Sequence, residues 1–154
     1  MCVSFPCVYH SLTMLQYGVG TPVPIHNFAT QFDGSLALIW VDGTNGTGNP
    51  SASAVMARIT NGFNEYQMSA VKQVSSPADI PSHCPQNFNM ISECYAGIAF
   101  NYLPVSSTDT TPINYTISAD AGLGYVNVYS HTSDFETRIL PLQLAIDEVM
   151  PRCT

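Results

Sequence analysis

Two nearly continuous apolar runs, LALIWVD at 36–42 and YAGIAFNY at 95–102, constrain the fold of this chain most. A strand with one wet face alternates between apolar and polar residues, whereas a strand covered on both faces reads as an unbroken apolar run. We therefore predict that both runs are central strands of a sheet with packed layers on its two faces. Strands of this kind are typical of α/β domains.

A helix and another strand are predicted to follow the first run. The segment 51–63 has one apolar stripe at helical spacing, with Asn49 and Pro50 suited to the N-cap and first helical position and Gly62 to the end. The segment 67–74 then predicts a second strand, so that strand, helix and strand form a parallel crossover unit. The residues of the apolar stripe are Val55, Met56, Ile59 and Phe63.

Shorter elements are predicted elsewhere in the chain. The stretch at 25–34 is consistent with a short helix capped by Gly34. INYTISA at 113–119 alternates between apolar and polar residues, which predicts a strand with Asn114 on its solvent face. YVNVY at 125–129 predicts one more short strand. The sequence thus indicates an α/β fold with a single mixed sheet of about four or five strands.

The last predicted element is a long C-terminal helix over 131–150. Ser133 and Glu136 have the spacing of a capping box, and a single apolar stripe follows them. Pro141 then stands inside the helix, where a proline removes a hydrogen bond and costs about 3 kcal/mol. We therefore predict a helix that is bent at this proline. The residues of the stripe are Phe135, Ile139, Leu142, Ile146 and Val149.

The charge balance excludes some partners and indicates a compartment. Only 10% of the residues are charged, and 4 Lys and Arg face 11 Asp and Glu, for a net charge of -7. The chain has no basic cluster of the kind that binds nucleic acid or an anionic membrane surface. Low charge and two glycosylation sequons, at Asn45 and Asn114, favour an extracytosolic domain.

The five cysteines fit disulfide bonds better than a metal site, because no two of them have the C-x-x-C spacing. Cys84 and Cys94 enclose a short loop, and a disulfide between them would stabilise the fold by about 3 kcal/mol. Two free buried thiols are the alternative. No metal and no other cofactor is predicted. The remaining cysteines, to which no pairing is assigned, are Cys2, Cys7 and Cys153.

No set of residues with a catalytic pattern is present in the sequence. The loop GTNGTG at 43–48 matches no phosphate-binding motif and has no lysine near it, so a plain connection is the favoured interpretation. Asp42 ends a predicted central strand, a common catalytic position, but an ordinary loop aspartate is favoured because no partner base stands beside it. A small hydrolase is therefore disfavoured, and we predict that the chain is not an enzyme. The histidines, each expected at the surface or hydrogen-bonded, are His10, His26, His83 and His131.

The means of reaching an extracytosolic compartment is not visible in the sequence. No apolar run reaches the ~18 to 20 residues of a membrane span, and the N-terminal stretch is a poor signal peptide. We expect that the chain is part of a larger protein.

Four segments in order resemble the first large extracytosolic loop of fungal A-subfamily-like ABC transporters. The segments are YGVGTPVPI (17–25), LALIWVDG with the helix after it (36–63), CPQNFNMISECYAGIAFNYLP (84–104) and INYTISADAGLGYVNVYSHTSDFETRILPLQLAID (113–147). In that family the loop joins the first membrane helix to the second. The matching positions are Cys84, Ser92, Cys94, Tyr95, 114–117 and 140–143.

The resemblance implies one non-catalytic domain over 17–150, with 1–16 unassigned and 151–154 as a tail. It also implies the disulfide between Cys84 and Cys94. The last helix would be a stalk that enters the bilayer, with its apolar surface exposed and with the two ends of the domain close together. The membrane-proximal residues would be Tyr17, Pro141, Val149 and Met150.

A transporter of this family implies further partners and a location. The partners would be the membrane helices and the second extracytosolic loop of the same protein, with a lipid as a candidate ligand. The domain would face the cell surface or the vacuolar lumen as part of a multi-pass protein that moves lipids or amphiphiles, and its ATPase would lie outside this chain. The alternative is a free secreted fungal α/β protein that binds a small ligand or a partner protein.

Overall fold

The structure is a computed structural model, and it confirms the α/β class with a single mixed sheet. Four strands lie in the order β2-β1-β3-β4; β1 pairs in parallel with β2 and β3, and β4 is antiparallel to β3. The described residues are 27–86, 92–106, 108–119, 126–127, 132–133 and 135–150. The strands of the sheet are β1 (Ala37–Asp42), β2 (Val71–Val74), β3 (Cys94–Tyr102) and β4 (Asn114–Ser118).

Five helices and a separate strand pair complete the described part of the chain. A 3-10 turn (Pro77–Asp79) precedes the fourth helix, and a π-helical segment (Phe135–Ile139) precedes the fifth. The short strands β5 (Val126–Asn127) and β6 (Thr132–Ser133) pair with each other, outside the main sheet. The helices are α1 (Phe28–Gln31), α2 (Ala52–Ile59), α3 (Glu65–Ser69), α4 (Ile80–His83) and α5 (Leu140–Val149).

The crossover from β1 through α2 to β2 is parallel, as predicted, but its boundaries differ from the prediction. Helix α2 is capped by Ser51, whose hydroxyl accepts from the N–H of Ala54, so Asn49 and Pro50 lie before the helix. The helix ends at the C-cap Thr60 rather than at Gly62. Three residues of the predicted stripe, Val55, Met56 and Ile59, are buried on α2, whereas Phe63, which is partly buried, lies after the helix.

The predicted strand 67–74 is wrong in its first half. Asn64 and Gln67 form a capping box, in which each side chain accepts from the other residue's backbone N–H. These reciprocal bonds start helix α3, and only the β-branched end of the segment, from Val71, continues as strand β2. Gly34, expected as the cap of α1, instead follows the C-cap Phe32 with φ +80°, where its backbone approaches Gln67.

The core lies on both faces of the sheet. On one face, Leu38 and Trp40 of β1 pack with α1, α2 and α5 in one cluster, which also contains Ala96, Ile98 and Phe100 of β3. On the other face, Ile39 and Val41 pack with Ile80 of α4 in a smaller cluster. The unbroken apolar runs that predicted the fold therefore have the two covered faces they require.

The predicted long C-terminal helix is confirmed as a run of 15 helical residues, but it begins at Phe135 and its first part is π-helical. Ser133 belongs to β6 rather than to a helix cap, and the chain then forms the π-helical segment before α5 begins at Leu140. Pro141 lies in the first turn of α5, directly after the π-helical segment. It is therefore inside the helical run 135–149, as predicted. Ile139, Leu142 and Ile146 are buried as predicted, Val149 is partly buried, and Phe135 is exposed.

Candidate functional site

A disulfide bond joins Cys84 and Cys94, as predicted, with their Cα atoms 5.1 Å apart. The bond ties the residue after α4 to the first residue of β3, and α4 lies over the sheet at the same place. A Cβ atom on Gly97 would lie 2.6 Å from Cγ2 of Ile80, so the helix packs directly on the glycine backbone. This link fixes the smaller layer of the domain. Cys2, Cys7 and Cys153 lie outside the described residues.

Both sequon asparagines are exposed. Asn45 lies in the turn after β1 with φ 55°, and Asn114 is the first residue of the edge strand β4. The predicted alternation of β4 is confirmed, since Asn114, Thr116 and Ser118 are exposed while Tyr115 and Ile117 are partly buried.

Asp42 and His83 are the candidate catalytic residues that lie in the described part of the chain. Oδ1 of Asp42 accepts from the backbone N–H of Thr44 at 2.9 Å and from its hydroxyl at 2.6 Å, so the carboxylate holds the turn 42–44. His83 is the exposed last residue of α4. Over the residues that the structure describes, no three His, Cys, Asp or Glu side chains are grouped as a metal site requires. His10, His26 and His131 lie outside those residues.

Arg138 and Tyr95 form a buried link between the π-helical segment and β3. The ladder between β1 and β3 shifts register between Ala37 and Leu38, which pair with Cys94 and Ala96, so Tyr95 is the extra residue of a bulge. Arg138 Nη2 donates to the carbonyl oxygens of Cys94 (3.1 Å) and Tyr95 (2.9 Å). Its guanidinium carbon lies 5.0 Å from the centre of the Tyr95 ring.

The phenol of Tyr95 is held in its neutral form. Its hydroxyl donates to the carbonyl oxygen of Arg138 at 2.9 Å, and burial raises the pKa of Tyr95 to about 12 although the Arg138 charge opposes the shift. Its ring meets Phe28 and Phe32 edge to face, with centroids 5.8 and 5.2 Å away, and Phe63 stacks on Phe32. The aromatic cluster positions α1 against the C-terminal region.

A groove of about 370 Å³ lies between α1, α2 and α5. The wall of the groove is partly charged and partly apolar. Arg58 and Glu148 carry opposite charges, and Leu144 adds an apolar side chain that is 38% exposed. Arg58 Nη1 donates to the carbonyl oxygen of Val149 at 3.4 Å, across the groove from α2 to the end of α5. Asn27, the first described residue, lines the same groove. Asn27, which caps α1, and Val149, the last residue of α5, therefore lie at the same groove.

The expected apolar stalk is wrong for the residues that the structure describes. Pro141 is fully buried, Met150 is 7% exposed and Val149 is partly buried, because the stripe of α5 covers the sheet and α2. Tyr17 lies outside the described residues, and none of the helices within them has the length and apolarity needed to cross a bilayer. Among the described residues, the exposed large apolar side chains are Tyr66, Met68, Val105, Phe135 and Leu144.

Comparison of the chain with protein-family models, with curated proteins and with solved structures finds no match. The residues that sequence analysis missed are therefore identified from geometry alone. Arg58 and Arg138 each bind a backbone carbonyl of a distant element. Because the chain has only 4 Lys and Arg residues, each of them could have been singled out from the sequence as a candidate for such a bond. Asn101, which donates to two residues of β4, lies at the end of an apolar run and could not be identified from the sequence.

Proposed function

We propose that this chain forms an extracytosolic, non-catalytic domain of a multi-pass ABC transporter, between its first and second membrane helices. The observation that supports this most is that Asn27 and Val149 line one groove. A loop domain between neighbouring membrane helices must leave and return at one place, because such helices pack at ~8 to 10 Å. The resemblance of 17–150 to the fungal A-subfamily supports the same proposal.

The domain would act as a rigid binding or gating module. The Cys84–Cys94 disulfide holds one face, and Tyr115 on the edge strand donates to Oδ1 of Asp147 on α5 at 2.6 Å. The groove with Arg58 and Glu148 offers a polar rim beside Leu144. Such a surface suits the second extracytosolic loop of the same transporter or the head group of a transported amphiphile. The domain would face the cell surface or the vacuolar lumen.

A free secreted α/β protein is the second candidate. It is favoured by the packing of α5, whose inner face is buried as far as Met150, with 7% exposure, so the end of the helix needs no membrane partner. The same groove would then bind a small ligand or a partner protein. Both candidates place the domain outside the cytosol and neither requires catalysis.

An antibody raised against the chain separates the two candidates in the source cells. For the transporter we expect a band far above 16.7 kDa that stays in the membrane pellet after alkaline carbonate extraction. Protease added to sealed compartments should cut the domain only when it reaches the extracytosolic side. A band near the mass of the chain plus glycans in the medium would reject the transporter and support the secreted protein. A cytosolic band would reject both.

A further inference from the structure

The outer edge of β4 is a free sheet edge in the part of the chain that the structure describes, because β4 pairs there only with β3. Unpaired strand edges template pairing with other chains, and proteins protect them by charge, bulges or cover. No residue of β4 is charged, and its exposed positions are Asn114, Thr116 and Ser118. In the described part of the chain, neither a charged side chain of β4 nor a further strand protects this edge.

Asn101 of β3 reaches across the sheet to the sequon on β4. The ladder pairs Phe100 with Tyr115 and Tyr102 with Asn114, which leaves Asn101 as the extra residue of a bulge. Bulges re-aim side chains, and here Nδ2 of Asn101 donates to Oδ1 of Asn114 (3.0 Å) and to Oγ1 of Thr116 (2.9 Å). One amide thus binds both of the residues that define the sequon.

The first of these bonds orients the amide of Asn114. With Oδ1 held by Asn101 on the inner strand, Nδ2 is the end of the amide that the bond leaves free. Neither bond uses this nitrogen, so a substituent on it leaves both of them in place.

We propose that Asn114 carries an N-linked glycan, which Asn101 holds over the free edge of β4 so that no other strand can pair with it. In the modification, the amide nitrogen of Asn114 bonds to the anomeric carbon of a lipid-diphosphate-linked oligosaccharide. The bond from that carbon to the diphosphate breaks, the lipid diphosphate leaves, and the amide loses one proton. The proposal rests on the extracytosolic placement, which both candidate functions share.

The sequon at Asn45 is the matched control. It lies in an exposed turn, and a Cβ atom added at the neighbouring Gly46 would meet nothing within 4 Å. A glycan there covers no strand edge. Loss of the Asn45 glycan should therefore leave self-association unchanged, whereas loss of the Asn114 glycan should increase it.

The full chain is secreted from yeast behind a cleavable signal as wild type, Asn45→Gln, Asn114→Gln, Thr116→Ala and Thr116→Ser. Mobility before and after endoglycosidase counts the glycans, and light scattering after size exclusion measures self-association. We expect two glycans on wild type and Thr116→Ser, and one on each of the other three variants. Dimers or larger species should form with Asn114→Gln and Thr116→Ala but not with Asn45→Gln. Enzymatic removal of the glycans from folded wild type should have the same effect, and this excludes misfolding of the variants as the cause.

An unmodified Asn114 beside a modified Asn45 would overturn the proposed site, and an Asn114→Gln protein as monomeric as Asn45→Gln would overturn its shielding role. The native protein from source cells is then analysed for glycans, which tests the extracytosolic location separately from the proposed site. If both sites accept glycans in yeast but neither carries one in the native protein, the extracytosolic placement is wrong, and the native glycan fails with it.

Discussion

Arg138 and Tyr95 bind each other twice: the hydroxyl of Tyr95 donates to the carbonyl oxygen of Arg138, and Nη2 of Arg138 donates to the carbonyl oxygen of Tyr95, both at 2.9 Å. The guanidinium also lies over the ring. The bulge of β3 and the π-helical segment are thus joined by one residue from each. The link holds the start of the C-terminal helix against β3.

Replacing Arg138 should destabilise the domain measurably. Arg138→Ala removes two hydrogen bonds from a charged donor and the contact with the Tyr95 ring, so we expect the free energy of unfolding to fall by about 2 to 4 kcal/mol. Urea denaturation measures the change. Lys72→Ala, at an exposed cation on β2, is the control and should stay within about 0.5 kcal/mol of wild type. Equal losses in the two variants would contradict the link.

Stability should fall in alkaline solution because of two tyrosines. Burial raises the pKa of Tyr95 to about 12, and burial together with the bond to Asp147 raises the pKa of Tyr115 above its usual range. In the unfolded chain a tyrosine loses its proton near about pH 10. Above that pH the unfolded state binds fewer protons than the folded state, so the free energy of unfolding decreases as pH rises.

Urea midpoints between pH 8 and pH 11 test this dependence. Tyr95→Phe and Tyr115→Phe should each flatten the decline, although both lower stability at pH 8. Tyr66→Phe is the control, because this side chain is 63% exposed, and it should keep the wild-type slope. An unchanged slope in the Tyr95 and Tyr115 variants would show that other groups cause the decline.

The disulfide between Cys84 and Cys94 should be detectable chemically and should stabilise the domain. Cys84 and Cys94 are 10 residues apart, and closing a loop of that size stabilises the folded state by about 3 kcal/mol on the chain-entropy estimate. Replacing both cysteines with serine should lower the free energy of unfolding by about that amount. A non-reduced digest of wild type should yield the crosslinked peptide on mass spectrometry. Recovery of both positions as alkylated thiols would refute the bond.

Much of the sheet could be predicted because its physical causes are local in sequence. The two apolar runs became β1 and β3, and the alternation of 113–119 became β4 with Asn114 exposed. A strand that is buried on two faces has an unbroken apolar sequence, and a strand that is buried on one face has an alternating sequence. The order of the strands and both bulges have no such sequence pattern, since they arise from pairing between distant segments.

The errors come from elements whose boundaries depend on side-chain bonds or on packing. The Asn64–Gln67 capping box overrode the strand pattern of 67–74. Pro141 lies inside the C-terminal helical run as predicted, but the widened π-helical turn before it was missed because it has no sequence signature. Arg138 and Asn101, the residues that organise the C-terminal region and the β4 edge, act through tertiary hydrogen bonds that one sequence does not reveal.

The packing of α5 can be tested by comparing its two faces. Ile146 is fully buried against the core, whereas Leu144, two residues earlier, is 38% exposed at the groove. Ile146→Ala leaves a cavity and should lower the free energy of unfolding by about 2 to 5 kcal/mol, while Leu144→Ala should cost less than about 1 kcal/mol. Urea denaturation of the two variants measures both values. A helix that serves as a frayed stalk would tolerate both changes equally well, so a small loss for Ile146→Ala would restore the stalk and overturn the packed arrangement. A large loss for Ile146→Ala alone means that α5 belongs to the domain core. In a transporter, the path toward the second membrane helix would then have to begin beyond Met150.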